Sequence, residues 1–225
     1  MDWTLIKTKS GRKFPTNAAD WVFWHESVPK KVKQMHDDGY KIVIFTNQGG
    51  VSKGQTTTNE IKTKLNAIQQ KLDIPIQVFA STTKDVYRKP ALGMWEYMED
   101  KMNGDETVDR KKCIYVGDAA GRPAEGKIRK KDFSDGDLKF ALNIGAKFQT
   151  PEEFFFGQKQ KIPKIAFNPS KFFQKEGDVL KSSGKLKYGS QEIIVFVGSP
   201  ASGKSTFWKN HLSDYVRVNR VRYYQ

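Results

Sequence analysis

The stretch KIVIFTNQ, Lys41–Gln48, sets four apolar residues in a row and then turns polar at Thr46, Asn47 and Gln48. An apolar run without alternation is the pattern of a strand buried on both faces. Upstream, SVPKKVKQMHDDGY reads as a helix with Ser27 as N-cap, Pro29 in the first turn and Gly39 as the stop. Its Val28, Val32 and Met35 share one face. Downstream, TTNEIKTKLNAIQQKLD offers a Thr57/Glu60 capping box and a face of Ile61, Leu65, Ile68 and Leu72. IQVFAS is the next strand. GMWEYMEDKM is a helix with Met94, Trp95, Met98 and Met102 turned inward. CIYVGD is a strand that takes in Cys113, DLKFALNIG a helix ending at Gly145, and TPEEFFF a helix opening at Pro151. Strands alternating with helices predict an α/β fold, a parallel sheet covered on both faces.

The pattern lapses over residues 157–190, which are lysine-rich and broken by Pro and Gly; this predicts a basic linker. EIIVFVG then begins a new strand, so the expected units are residues 1–156, the connection 157–190, and 191–225. The chain has 225 residues and a formal net charge of +14, from 39 Lys and Arg against 25 Asp and Glu. Such a balance attracts polyanions, nucleic acid before an anionic membrane surface. No apolar run approaches the ~18 residues of a membrane span, and no secretory leader is recognisable. The single cysteine, Cys113, excludes an internal disulfide and fits a reducing intracellular compartment. His25, His36 and His211 match no metal-ligand spacing, and Trp21, Trp24 and Trp95 are expected in the core.

Near the end, GSPASGKST (Gly198, Ser199, Pro200, Ala201, Ser202, Gly203, Lys204, Ser205, Thr206) meets every fixed position of G-x-x-x-x-G-K-[ST]. Glycines let backbone N–H groups turn towards phosphate oxygens, and the following helix N-terminus adds positive potential. Lys204 would reach the β- and γ-phosphates of ATP and Ser205 would hold Mg²⁺. A strand–loop–helix alone cannot bury a core, so this segment is expected to be the start of a kinase domain.

In an open parallel sheet the ligand site lies at the carboxyl ends of the strands. There stand Asp2 and Thr4, then Thr46 and Asn47, then Arg88 and Lys89, then Asp118 in YVGDAAGRP. Lysine and threonine can hold a phosphate, and a carboxylate can hold Mg²⁺.

At these residues the chain resembles the haloacid-dehalogenase phosphatases. More specifically, KTKSGRKFP, FTNQGGVSKG, YRKPALGMWEYM, YVGDAAGRP, KKDFSDGD and TPEEFFF are similar to the bifunctional polynucleotide phosphatase/kinase family. The resemblance runs from residue 2 to about 156 and resumes at the strand before the phosphate loop. It implies a Rossmann-like parallel sheet, DNA strand-end repair, and a nuclear location. The implied partners are DNA 3′-phosphate ends for the first domain and 5′-hydroxyl ends for an ATP-dependent second domain. By position, Asp2 matches the second Asp of D-x-D-G-T, the general acid/base whose backbone carbonyl also meets Mg²⁺. Thr46 and Lys89 match the phosphate-binding positions and Asp118 the metal position. Asp132 is a further metal-side candidate, and Thr4, Asn47, Arg88 and Arg122 are candidate substrate contacts.

The resemblance also implies departures. The matching nucleophile position and first strand fall ahead of Met1, Trp3 stands where the motif has Gly, and Val221 follows Arg220 where the kinase has an Asp base. The expectation is an incomplete copy, without the family's phosphopeptide-binding module. Two other readings stay open: an inactive protein that binds nucleic-acid ends, and a small-molecule phosphatase. Arg129, Lys130 and Lys131 fit either a solvated charge run or contact with a nucleic-acid backbone.

Overall fold

The computed structural model describes residues 1–126, 129–165 and 191–218. The chain divides into two compact units, Met1–Lys175 and Glu176–Gln225. The first carries the alternating α/β pattern: β1 (Ile6–Lys7), β2 (Val22–Phe23), α1 (Ser27–Asp37), β3 (Ile42–Asn47), α2 (Thr58–Leu72), β4 (Ile76–Ser81), α3 (Gly93–Lys101), β5 (Ile114–Val116), α4 (Gly136–Ile144), β6 (Lys147–Gln149) and α5 (Pro151–Phe156). The second holds α6 (Lys204–His211).

Local chemistry explains most boundaries. Thr57 caps α2 and Glu60 returns the bond, and the same box of Thr150 and Glu153 opens α5 with Pro151 in its first turn. Gly145, at φ 76°, ends α4 in the left-handed conformation that glycine adopts without steric penalty. β3 and β4 pair in parallel, Ile42 opposite Ile76 through Asn47 opposite Ser81. β5 and β6 also pair in parallel, whereas β1 and β2 are antiparallel. The short strands β1, β2 and β6 carry no apolar run of their own, and periodicity did not predict them.

β3 separates two cores. Ile44 joins Ile6, Trp21, Val28, Val32, Ile68 and Leu72 on the side of α1 and α2. Its neighbour Phe45 joins Met94, Trp95, Met98, Phe140 and Ile144 on the side of α3 and α4. Successive residues of a strand face opposite ways, so helices cover both faces as expected. Phe140 is fully buried, with Phe45 5.4 Å and Tyr115 5.3 Å from its ring.

Several expectations change. The anticipated single sheet is, among the described residues, two parallel pairs flanking a cavity of about 830 Å³. Residues 42–45 of β3 and 113–116 at β5 line it, so each strand presents its unpaired edge there. Met102 follows the end of α3 and is 47% exposed, since the helix stops a residue short of carrying it inward. Ser27 begins α1 rather than capping it. Cys113 precedes β5 and is only partly buried, its thiol pushed up by burial and by Asp109. Trp21 and Trp95 are buried and Trp24 partly so. EIIVFVG forms no strand: Ile193 and Val197 are about nine-tenths exposed (90% and 92%), and among the described residues no partner edge lies alongside. Residues 166–190 of the expected linker, and Arg220 and Val221, lie outside the described residues.

Candidate functional site

Lys89 is placed by two clamps. The Asn47 side chain, at the end of β3, accepts from the Lys89 backbone N–H at 3.0 Å and donates to its carbonyl at 3.2 Å. At the other end of the side chain, Nζ donates to Asp137 Oδ1 at 2.7 Å and to the Tyr115 hydroxyl at 2.9 Å. The Tyr115 hydroxyl in turn donates to Asp137 Oδ1 at 3.0 Å. Asp137 sits in the first turn of α4, and its Oδ2 accepts from the Ala119 backbone at 3.1 Å. Burial alone would push its carboxyl up, but the Lys89 ammonium brings it below the usual carboxylate range. An ammonium has three N–H groups; among the described residues two are taken, which leaves one for a ligand.

Asp118 follows β5. Its Oδ1 accepts from the Thr4 hydroxyl at 2.9 Å. Burial first, and the nearby Asp137 charge second, raise its carboxyl above the usual range. Gln48 joins two further residues by donating to Thr46 Oγ1 at 2.8 Å and to Asp2 Oδ2 at 3.1 Å. Thr46 is buried and Asp2 exposed. Because Thr46 Oγ1 accepts from Gln48, its own proton is free to donate. The structure therefore joins Thr4 to Asp118, Asp2 and Thr46 through Gln48, and Lys89 to Asp137 and Tyr115.

Other candidates stand elsewhere. Asp132 makes no bond to the Asp118 carboxylate. Its Oδ2 accepts from Arg122 Nε at 2.8 Å and from the Arg122 and Ala120 backbones, and Oδ1 lies 3.6 Å from Arg129. Arg122, 3% exposed, also binds Glu152 at 3.0 Å and donates to the Asp118 carbonyl at 3.3 Å. The pair props the Asp118 loop from behind. A buried guanidinium with two carboxylates is satisfied there and has no reason to reach solvent. The Asn47 amide is spent on the Lys89 backbone. Arg88 packs under Gly49, where an added Cβ would stand 3.2 Å from its Nη1, and that buried nitrogen has no hydrogen-bond partner among the described residues.

Gln48, Tyr115 and Asp137 carried no assigned role in the sequence. Gln48 lies in the strand-end string TNQ and Asp137 in KKDFSDGD, so both were within view. Nothing local marks Tyr115 beyond its place in an apolar strand.

Among the described residues no three His, Cys, Asp or Glu side chains converge as a metal cluster. A buried carboxylate beside a second negative charge, such as Asp118, still suits Mg²⁺, a cation that keeps water and phosphate ligands and takes one or two carboxylates from the protein. In the second unit, Lys204 Nζ folds back on its own loop, donating to the carbonyls of Gly198 at 2.8 Å and Ser199 at 2.7 Å. Ser205 Oγ accepts from Arg217 at 2.7 Å. No helix among the described residues is long and apolar enough to cross a membrane.

Residues 1–155 match the family described as polynucleotide kinase 3 phosphatase. The chain is 42% identical over 223 residues to the bifunctional polynucleotide phosphatase/kinase of Schizosaccharomyces pombe, covering 98% of this chain and 52% of that protein. It thus spans about half that relative's length. It is 31% identical over 210 residues to the polynucleotide 3′-phosphatase of Saccharomyces cerevisiae, covering 70% of this chain and 85% of that one. Among solved structures, the D,D-heptose 1,7-bisphosphate phosphatase of B. bronchiseptica, complexed with magnesium and phosphate, superposes with a TM-score of 0.52 at 15% identity. The match covers 78% of this chain and 96% of that one, and it bears out the haloacid-dehalogenase-like α/β fold.

Proposed function

The chain belongs to the polynucleotide kinase 3 phosphatase family, and from that premise we propose that residues 1–156 recognise and dephosphorylate 3′-phosphate ends of nucleic acid in DNA strand repair. The observation that carries this reading is the Lys89 ammonium, pinned by Asp137 and Tyr115 with one N–H left over. Lys89 and the Thr46 hydroxyl hold two phosphate oxygens. Asp2, oriented by Gln48, gives its proton to the leaving 3′-oxygen, the general-acid role of its motif position. Asp118 and the Asp2 carbonyl would hold Mg²⁺, which when bound neutralises charge on the phosphate. Thr4 keeps the Asp118 carboxylate turned to that task, and Arg122 with Asp132 fixes its backbone. Asn47 acts by setting the Lys89 main chain, and Arg88 lies close enough to the TNQGG turn to meet a substrate phosphate. A carboxylate at the family's nucleophile position, two residues ahead of Asp2, forms the new bond to phosphorus as an aspartyl-phosphate while the P–O3′ bond breaks, and water then releases the phosphate.

In the whole protein, residues 157–190 connect this domain to a kinase half beginning at 191. Its loop 198–206 takes the phosphates of ATP once Lys204 swings off its own carbonyls, for transfer to a 5′-hydroxyl. DNA ends are the partner, and the nucleus is where they are met.

The test uses a single-stranded oligonucleotide with a 3′-phosphate and its 3′-hydroxyl twin. Tighter, salt-sensitive binding of the phosphorylated form, weakened in Lys89→Ala, is the expected result, with Mg²⁺-dependent phosphate release by the whole protein that carries the nucleophile position. Preference without release would support end binding alone. Equal binding of both forms, with hydrolysis confined to small phosphate esters, would overturn the reading.

A further inference from the structure

We propose that Tyr115 is a positioning residue for phosphate recognition: its hydroxyl shares Asp137 Oδ1 with Lys89 and so keeps the ammonium available to a phosphate oxygen. The inference rests on the reading of Lys89 and Thr46 as a 3′-phosphate site, and it assigns what lets that site tell a phosphate end from a hydroxyl end.

The three groups close a triangle. Lys89 Nζ lies 2.7 Å from Asp137 Oδ1 and 2.9 Å from the Tyr115 hydroxyl, which lies 3.0 Å from the same Oδ1. Chemistry fixes the direction of each bond. An ammonium only donates and a carboxylate only accepts, so the hydroxyl accepts from Lys89 and spends its one proton on Asp137. Burial and the Asp137 charge push the hydroxyl well above its usual range, so it keeps that proton. Tyr115 therefore has none left for a phosphate. It acts through the lysine.

The hydroxyl sits at the rigid corner of the triangle. Its ring belongs to β5 and stands edge-on to the fully buried Phe140, 5.3 Å away. Asp137 comes from α4, and Lys89 from the loop ahead of α3. Two anchors on separate elements locate Nζ, whereas a single one would let a long side chain swing about it. The hydroxyl also changes how Asp137 is satisfied. Oδ2 accepts from the Ala119 backbone and Oδ1 from both Tyr115 and Lys89, so the carboxylate does not depend on the ammonium alone. With phenylalanine at 115, Oδ1 would have only the lysine, and one N–H of a side chain just 8% exposed would lose its acceptor. Packing gives no reason for the oxygen. A phenyl ring would lie against Phe140 equally well, and a buried hydroxyl is tolerated only where it is bonded.

The test measures fluorescence anisotropy of the full chain with two labelled single strands, one ending in a 3′-phosphate and the other in a 3′-hydroxyl. Tyr115→Phe should cut the preference for the phosphorylated strand by about three- to tenfold, the worth of one hydrogen bond. Binding of the hydroxyl twin should stay unchanged, and melting should show the variant folded. In a Lys89→Met background the same change should alter the preference no further, because the hydroxyl acts only through the lysine. A ¹⁵N spectrum of the lysine ammonium groups supplies a signature that packing would not move. The Lys89 signal, identified by its loss in Lys89→Arg, should exchange slowly with water in the parent and faster in Tyr115→Phe. If Lys89→Met fails to fold, that signal decides. An unchanged preference or an unchanged ammonium signal in Tyr115→Phe would overturn the positioning role and leave the phosphate site standing. Equal losses in both backgrounds would overturn it too, since the hydroxyl would then act without the lysine. No preference for the phosphorylated strand in the parent would overturn the phosphate-site reading and this inference with it.

Discussion

Lys89 Nζ and Asp137 Oδ1 are 2.7 Å apart, with the two side chains only 8% and 10% exposed. Taking one partner from a buried ion pair leaves the other charge in low dielectric, at a cost of about 3–5 kcal/mol. Asp137→Ala should therefore lower unfolding free energy by about that amount in urea denaturation. It should also weaken binding of inorganic phosphate, because Lys89 loses the acceptor that aims it. An unchanged denaturation midpoint would refute the buried-pair account.

Asp118 and Asp137 should give opposite pH signatures. The Asp118 carboxyl is raised by burial and by Asp137, so its contribution to stability is present below the usual carboxylate range and is lost as pH rises through its folded-state value. Asp137 is held low by Lys89, so its contribution is present above the usual range and is lost as pH falls. Asp118→Asn should thus melt above the parent in metal-free buffer at neutral pH, and the gap should close towards acid. Mg²⁺ should raise the melting temperature of the parent and leave Asp118→Asn unmoved; an equal rise in both would place the cation elsewhere.

Gly117 touches the same pair. A Cβ there would stand 2.6 Å from Asp137 Cγ and Oδ2, well inside van der Waals contact. Gly117→Ala should push the carboxylate off Lys89 and destabilise the protein by about 1–3 kcal/mol, the range for overpacking. Calorimetric melting would show it, and a neutral outcome would mean that α4 shifts freely.

Trp3 holds φ at 57°, a left-handed conformation that costs a non-glycine residue about 1–2 kcal/mol. The residue is 46% exposed, so little packing repays that strain. Trp3→Gly should raise stability by up to about 1 kcal/mol, read as a higher melting temperature. A lower one would show that the ring makes a contact of real worth.

Much of the frame was legible without coordinates. The apolar run of Lys41–Thr46 predicted β3, and the capping boxes at Thr57 and Thr150 placed α2 and α5, because those signals act within a few residues of chain. Thr46 lies near the end of β3 and Asp118 just after β5, as the sequence pattern suggested, whereas Lys89, expected at a strand end, comes well after β4 has ended at Ser81. Gly203 takes a left-handed φ of 86° just before α6.

What the tertiary structure decided is pairing over distance. Asp132 went to Arg122, and Asp137, unassigned in the sequence, went to Lys89. Both carboxylates follow the same basic run, and only the path of the loop after Asp118 selects which one faces the lysine. The exposed Ile193–Val197 segment makes the same point from the opposite direction, since an apolar run becomes a strand only where a second edge accepts its hydrogen bonds. Amino-acid sequence determined the local elements and the kind of chemistry available here. The three-dimensional fold decided which charges meet, because burial lets a charge persist only beside its partner.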